Sequence, residues 1–195
     1  MQQPGAARNS APLLVFLGLL TMAAMLAGCV TLTPDGPPPL VKRSGKAPKA
    51  ALLPWYTNDH QLANTAYIQL KTCLEERNIF RFVPRDKVEY AIQHNGIDIN
   101  KTFGISQSEA KQLADALEVD YILGGAFNVV KSLKLNGWRR DIASDMRIYR
   151  GSNGQKMHTL LSNTSMTFAS AEQNADLMSR SAINHLCSQI LQYSY

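Results

Sequence analysis

Histidine, cysteine and acidic side chains are the groups that could catalyse a reaction or bind a metal in this chain of 195 residues. The four histidines lie far apart in the sequence, at His60, His94, His158 and His185. They lack the short spacing of a zinc site, and the cysteines form no C-x-x-C pair. The sequence also contains no P-loop, nucleophile elbow or paired-carboxylate pattern. We therefore expect that the protein is not an enzyme and that it binds no metal ion and no cofactor.

One cysteine lies in a context that predicts covalent modification. Residues 1–28 contain a polar leader with Arg8 and an apolar run at 11–26, which is typical of a secretory signal and too short for a comfortable membrane span. The run ends in Leu-Ala-Gly-Cys at 26–29, which matches the bacterial lipobox. The pattern predicts cleavage before Cys29 and acylation of Cys29, so that buried acyl chains anchor the mature protein to a bilayer. An ordinary signal peptide with a coincidental cysteine is the alternative.

The residues after Cys29 predict a destination and a tether. Enterobacterial-type sorting retains a lipoprotein at the inner membrane when aspartate follows the cysteine, and this chain has Val30 there. We therefore expect the periplasmic face of the outer membrane. Residues 29–49 are rich in proline, glycine and lysine, which predicts a linker that buries no core. Its lysines and arginine either contact an anionic surface or keep the linker solvated.

The overall composition is that of an ordinary globular protein. Apolar residues make up 45% of the chain and charged residues 18%, with a formal net charge of +5. The lysines and arginines are spread along the chain, whereas a nucleic-acid-binding protein usually concentrates them in one stripe. The composition therefore predicts one modest domain and no nucleic-acid partner.

Residues 50–195 have the periodicities of a single α/β domain. Apolar or alternating runs predict strands at 50–55, 79–83, 119–130, 143–150 and 158–168. Apolar residues at three- and four-residue spacing predict helices at 60–77, 86–93, 107–117 and 174–193. Gly124 and Gly125 predict close approach of another backbone or of a bulky side chain to their strand. The expected fold is one mixed parallel and antiparallel sheet packed by about four helices.

Four segments resemble, in order, motifs of the CsgG and TolB amino-terminal-domain group of periplasmic proteins. They are ALLPW at 51–55, FVPRDKV at 82–88, LADALEVDYILGG at 113–125, and MRIY at 146–149 with NGQK at 153–156. The resemblance extends from residue 50 nearly to the end of the chain. It implies an anticodon-binding-like, TolB-N-like fold.

The roles within this group are non-enzymatic but diverse. The curli-secretion lipoprotein forms an outer-membrane channel, the Pel exopolysaccharide lipoprotein forms a periplasmic ring, and another branch activates penicillin-binding proteins. This chain has no insertion long enough to build the membrane barrel of the curli member. The resemblance implies a homo-oligomeric ring or assembly component of an exopolysaccharide or curli-like export system. A monomeric activator of a peptidoglycan synthase is the alternative.

The resemblance also bears on the two remaining cysteines. Cys73 lies on the apolar side of the first predicted helix, and Cys187 lies on the last. In the family fold these helices pack on the same face of the sheet, which implies a disulfide between Cys73 and Cys187. Two separately buried thiols are the alternative.

A basic segment precedes the predicted hairpin at 143–168. Its basic residues are Lys131, Lys134, Arg139 and Arg140, and its large apolar residues are Leu133, Leu135 and Trp138. This combination predicts an interface or a membrane contact. The alternative is that Trp138 folds onto the core of its own domain.

Overall fold

A computed structural model of the chain describes residues 45–99, 104–135, 137–168 and 175–194. The chain divides into two units, Met1–Gly36 and Pro37–Tyr195, and all described residues belong to the second. The predicted signal sequence, its lipidation site Cys29 and most of the predicted tether lie outside the described residues.

The described residues form one sheet of mixed parallel and antiparallel strands, with helices on both faces. In chain order the elements are β1 (Lys49–Leu52), β2 (Tyr56–Thr57), α1 (His60–Glu76), β3 (Arg81–Phe82), α2 (Arg85–His94), α3 (Gln107–Leu117), β4 (Tyr121–Lys134), β5 (Gly137–Arg150), β6 (Lys156–Phe168) and α4 (Ala175–Gln192). The sheet order is β3-β1-β4-β5-β6, with β2 beside β4. β1 runs parallel to β3 and β4, whereas β4, β5 and β6 form an antiparallel meander. The predicted fold class is confirmed.

Local capping interactions set the helix starts. At the start of α3, the Ser106 hydroxyl accepts a hydrogen bond from the Glu109 amide at 3.3 Å, and the Glu109 carboxylate accepts one from the Ser106 amide at 2.7 Å. At the start of α1, the Asp59 carboxylate accepts one from the Leu62 amide at 3.1 Å. The predicted bounds of α3 are therefore confirmed.

Two hydrophobic cores hold the helices against the sheet. α1 and α4 cover one face, where Leu70 and Leu186 pack in the same cluster as Leu123 of β4. α2 and α3 cover the other face, where Leu113 packs in the same cluster as Ile122. The adjacent residues Ile122 and Leu123 point to opposite faces, and both are inaccessible to solvent. The base of the sheet is therefore buried on both sides.

A disulfide joins the two helices of the first face. Cys73 of α1 is bonded to Cys187 of α4, with Cα atoms 6.6 Å apart. Cys187 is buried in the core that these helices share. This is the pairing that the family resemblance implies.

The two glycines of β4 accommodate large neighbours. The Trp55 ring lies against Gly125, where a Cβ would overlap the indole, and it stacks on Phe127 with ring centroids 4.4 Å apart. A Cβ on Gly124 would press on Leu53. The predicted close approach is confirmed.

The main departure from the sequence prediction is the length of the meander. The strand predicted at 119–130 runs on to Lys134, and the strand predicted at 143–150 begins at Gly137. The region between them, expected to be a connecting segment, is therefore part of a long hairpin. At the other edge β3 has only two residues, and β2 was not predicted. Among the described residues, no helix has the length and apolar character required to cross a membrane.

Candidate functional site: an exposed hairpin arm

The β4–β5 hairpin ends in a segment that lies outside both hydrophobic cores. We define the distal arm as residues 130–135 of β4 and its turn, together with residues 137–140 of β5. Leu133 is opposite Trp138, and Lys131 is opposite Arg140. The cores end just before the arm, at Val129 and Ile142. Beyond them the two strands continue for several residues that belong to neither core cluster among the described residues.

Large apolar side chains of the distal arm are exposed. Leu135 is fully exposed at 106%, Leu133 is 67% exposed and Val130 is 51% exposed. Trp138 is 36% exposed and is not a member of either core. Neighbouring exposed apolar residues are typical of a surface that contacts another molecule.

Three cations surround these apolar groups. Lys131, Lys134 and Arg139 are all exposed. Because side chains alternate across a strand, Lys131 shares a sheet face with Leu133, whereas Lys134 and Arg139 share the other face with Val130. Both faces of the arm therefore carry positive charge next to apolar surface.

Two of these cations form ion pairs with carboxylates that lie just outside the arm. The Arg139 Nε lies 3.0 and 3.1 Å from the two carboxylate oxygens of Asp141. A hydrogen bond from Ser165, followed by those from Arg139, lowers the pKa of Asp141 below its usual value. The Lys131 ammonium lies 3.8 Å from the carboxylate of Asp59, which also caps α1. These exposed pairs orient the side chains but contribute little stability.

Arg140 departs from the predicted surface patch. It is only 7% exposed, so it does not belong to the accessible surface of the arm. Its position in β5 places it on the sheet face that α1 and α4 cover. It lies opposite Met166 of β6, which packs against the hydrophobic core of that face. The alternation of a strand explains why Arg139 is exposed and Arg140 is buried.

The structure brings the other predicted contact residues together: Lys131, Lys134, Trp138 and Arg139 all lie on the distal arm. The sequence analysis missed Val130 as part of this surface. The dipeptide Asn136-Gly137 was the available signal, because Asn-Gly is the strongest short hairpin turn pattern.

A groove of about 560 Å³ between α2 and α3 is lined by Tyr90, His94 and Leu117, among others. Its Tyr90 and His94 rings stack on each other, with centroids 5.6 Å apart. Across the described ranges, no three histidine, cysteine or acidic side chains are grouped to hold a metal ion.

Solved structures share this fold at low sequence identity. Lipoprotein GNA1162 from Neisseria meningitidis aligns with a TM-score of 0.54 and 13% identity, over 74% of this chain and 99% of that chain. The hypothetical protein CT253 from Chlamydia trachomatis aligns with a TM-score of 0.54 and 11% identity, over 77% and 98% of the respective chains. A PelC dodecamer from Paraburkholderia phytofirmans aligns with a TM-score of 0.50 and 14% identity, over 80% and 93%.

No family model and no curated protein sequence matches the chain. At these identities the structural similarities establish the fold alone. The chain therefore has the fold of structures that include a bacterial lipoprotein and a protein that assembles into a dodecamer.

Proposed function

We propose that this protein is a lipoprotein on the periplasmic face of the outer membrane that acts, without catalysis, as a homo-oligomeric component of a cell-surface polymer export system. The leading version is a ring that serves exopolysaccharide export. Cys29 supplies the lipid anchor, and the distal arm supplies the contact between copies. The observation that carries the proposal is the exposure of Leu133, Leu135 and Trp138 on an arm outside both cores.

The energetics of the arm favour a partner. Burial of a leucine side chain contributes about 1.5 to 3 kcal/mol of free energy. A partner that covers the exposed Leu133 and Leu135 would therefore gain several kcal/mol of binding free energy. Trp138 adds an amphipathic ring of the type that is enriched at protein interfaces. The cations at the edge of this surface stay hydrated when the apolar centre is covered.

The resemblance and the fold support a second copy as that partner. The sequence motifs resemble a group that includes a ring-forming exopolysaccharide lipoprotein. The structural similarity to a PelC dodecamer supports self-assembly of this fold.

The test is the native mass of the mature protein in two forms. One form is the lipidated protein in detergent, and the other is a tag-free Cys29→Ser ectodomain. We expect a closed oligomer for the lipidated form and concentration-dependent self-association for the ectodomain. A strict monomer in both forms would refute the assembly role and would favour a monomeric activator of a peptidoglycan synthase. Loss of acyl labelling in Cys29→Ser provides the control for the anchor.

A further inference from the structure

The last strand of the meander forms a long open edge of the sheet. β6 contains 13 residues and, among the described strands, pairs with β5 alone. Proteins usually protect such an edge with lysine, proline, a bulge or a covering element. Lys156 and a register irregularity lie at the start of β6, and beyond them β6 contains no formally charged residue and no proline. The composition of β6 therefore leaves this edge competent to pair with another strand.

Hydrogen bonds near the base show which backbone groups point outward. The Ser162 carbonyl lies 3.2 Å from the Ser144 hydroxyl of β5, so it faces inward. The Leu161 carbonyl accepts a hydrogen bond from the Gln189 side chain of α4 at 3.2 Å, so it faces away from β5. Strand alternation then directs the backbone groups of Asn163, Ser165 and Thr167 outward as well.

At the opposite edge of the meander, a side chain caps the free backbone groups of the strand. Where β2 ends, the Asn58 side chain donates to the Val129 carbonyl at 2.9 Å and accepts from the Val129 amide at 3.1 Å. One amide side chain thus occupies both backbone groups of Val129 and closes this part of the β4 edge. On β6, Gln189 provides one such bond at Leu161, but no described element caps the backbone of Asn163, Ser165 or Thr167.

The side chains of this edge are compatible with pairing between identical strands. Asn163, Ser165 and Thr167 are exposed and uncharged, so a two-fold contact would not place like charges of β6 against each other. The nearest charges, Arg139 and Asp141, lie opposite Thr167 and Ser165 in β5 and neutralise each other.

We propose that β6 of a second copy pairs antiparallel with this edge through residues 163–167, so that one sheet continues across a two-fold axis. The inference rests on the homo-oligomeric part of the proposed function and names one of its interfaces. An isologous contact closes at two copies. It therefore makes a dimer. The edge runs beside the distal arm, since Trp138 is opposite Phe168 in the same ladder.

A matched pair of variants tests this interface. Asn163 and Asn128 are both exposed on the same sheet face, and each lies opposite Ala143, from β6 and from β4 respectively. Asn163→Lys places one lysine at each end of the paired segment, opposite Thr167 of the second copy. Because lysine on an edge strand opposes edge-to-edge pairing, we expect roughly tenfold weaker self-association of the Cys29→Ser ectodomain. Asn128→Lys adds the same charge two strands away and should leave self-association unchanged.

The outcomes separate this inference from the proposed function. If both variants assemble as the wild type does, the β6 interface is refuted while the assembly role stands. If the wild type is monomeric in its lipidated form as well, both are refuted. A melting temperature close to that of the wild type confirms that each variant is folded.

Amide hydrogen exchange supplies a readout that needs no variant. In the wild-type ectodomain, the outward amides of Asn163, Ser165 and Thr167 should exchange at least about tenfold more slowly at a concentration that favours assembly than at high dilution. Exchange at these amides that does not depend on concentration would contradict pairing through β6.

Discussion

The base of the long sheet and its distal arm are built from the same strands but have opposite environments. Leu123 and Leu133 lie on the same strand and the same face, ten residues apart. Leu123 is inaccessible to solvent, whereas Leu133 is 67% exposed. The difference shows that residue type did not decide burial here. Among the described residues of β4 and β5, the core clusters stop at Val129 and Ile142 while the strands run on, and apolar groups left exposed in this way are typical of a contact surface.

The two regions also differ in the interactions that stabilise them. The base has two helix layers and a disulfide between α1 and α4. The arm has strand pairing and exposed cations that pair with carboxylates just outside it, Arg139 with Asp141 at 3.0 Å and Lys131 with Asp59 at 3.8 Å. We therefore expect substitutions at the base to change the stability of the fold, and substitutions on the arm to change assembly.

Removal of the disulfide should have the largest effect on stability. Cys73 and Cys187 are separated by 114 residues, so their bond excludes many unfolded conformations. We expect Cys73→Ala/Cys187→Ala to lower the free energy of unfolding by up to about 4 to 5 kcal/mol in denaturant titrations. Reductant should destabilise the wild type and leave the double variant unchanged. Mass mapping that finds both wild-type thiols freely alkylatable would contradict this prediction.

Truncation of the two matched leucines makes the comparison between base and arm direct. Leu123→Ala should lower the free energy of unfolding by about 2 to 5 kcal/mol, because it opens a cavity in a closed core. Leu133→Ala should change it by less than about 0.5 kcal/mol, because no core surrounds the side chain. Thermal or chemical unfolding measures both values. Equal losses would show that the arm is part of the folded core.

Trp138→Ala distinguishes a contact role from a folding role. Because Trp138 is a third exposed and belongs to neither core, we expect nearly unchanged stability but weaker self-association. Sedimentation velocity measures the association, and a thermal melt of the same sample measures the stability. A large drop in melting temperature would instead assign Trp138 to the packing of its own domain.

The smallest expected effect concerns acid pH. Hydrogen bonds from Ser165 and Arg139 lower the pKa of Asp141 in the folded state. A depressed carboxyl pKa stabilises the fold at pH values above the unfolded pKa of about 3.9, and this contribution is lost as the pH falls through the folded pKa. A carboxyl carbon titration by NMR should place Asp141 below an unperturbed aspartate. In Arg139→Gln its pKa should move upward, and an unchanged value would contradict the pairing.

Much of the base could be predicted from the sequence because its signals are local. The Ser-x-x-Glu pattern of Ser106 and Glu109 marks the start of α3, and the apolar spacing of α1 and α4 located the helices that carry Cys73 and Cys187. The pairing of these cysteines needed the family resemblance, because linear spacing does not say which helices share a face.

The arm was harder to predict because its pattern is not that of a half-buried strand. Alternation of apolar and polar residues marks a strand only when one face is covered. Leu133 and Val130 lie on opposite faces of β4 and are both exposed, so the segment around them lacked that alternation. The burial of Arg140 depends on which face of the sheet its side chain lies on, and that face becomes known only when the register with β4 and β6 is known.

One measurement tests the central claim that the base is the scaffold and the arm is the contact surface. A Leu133→Ser/Leu135→Ser variant of the Cys29→Ser ectodomain is compared with its parent by sedimentation velocity and by thermal unfolding on the same samples. We predict clearly weaker self-association with a melting temperature within a few degrees of the parent, because both side chains lie in water in the monomer. Unchanged association, or a collapse of the melting temperature, would contradict the account.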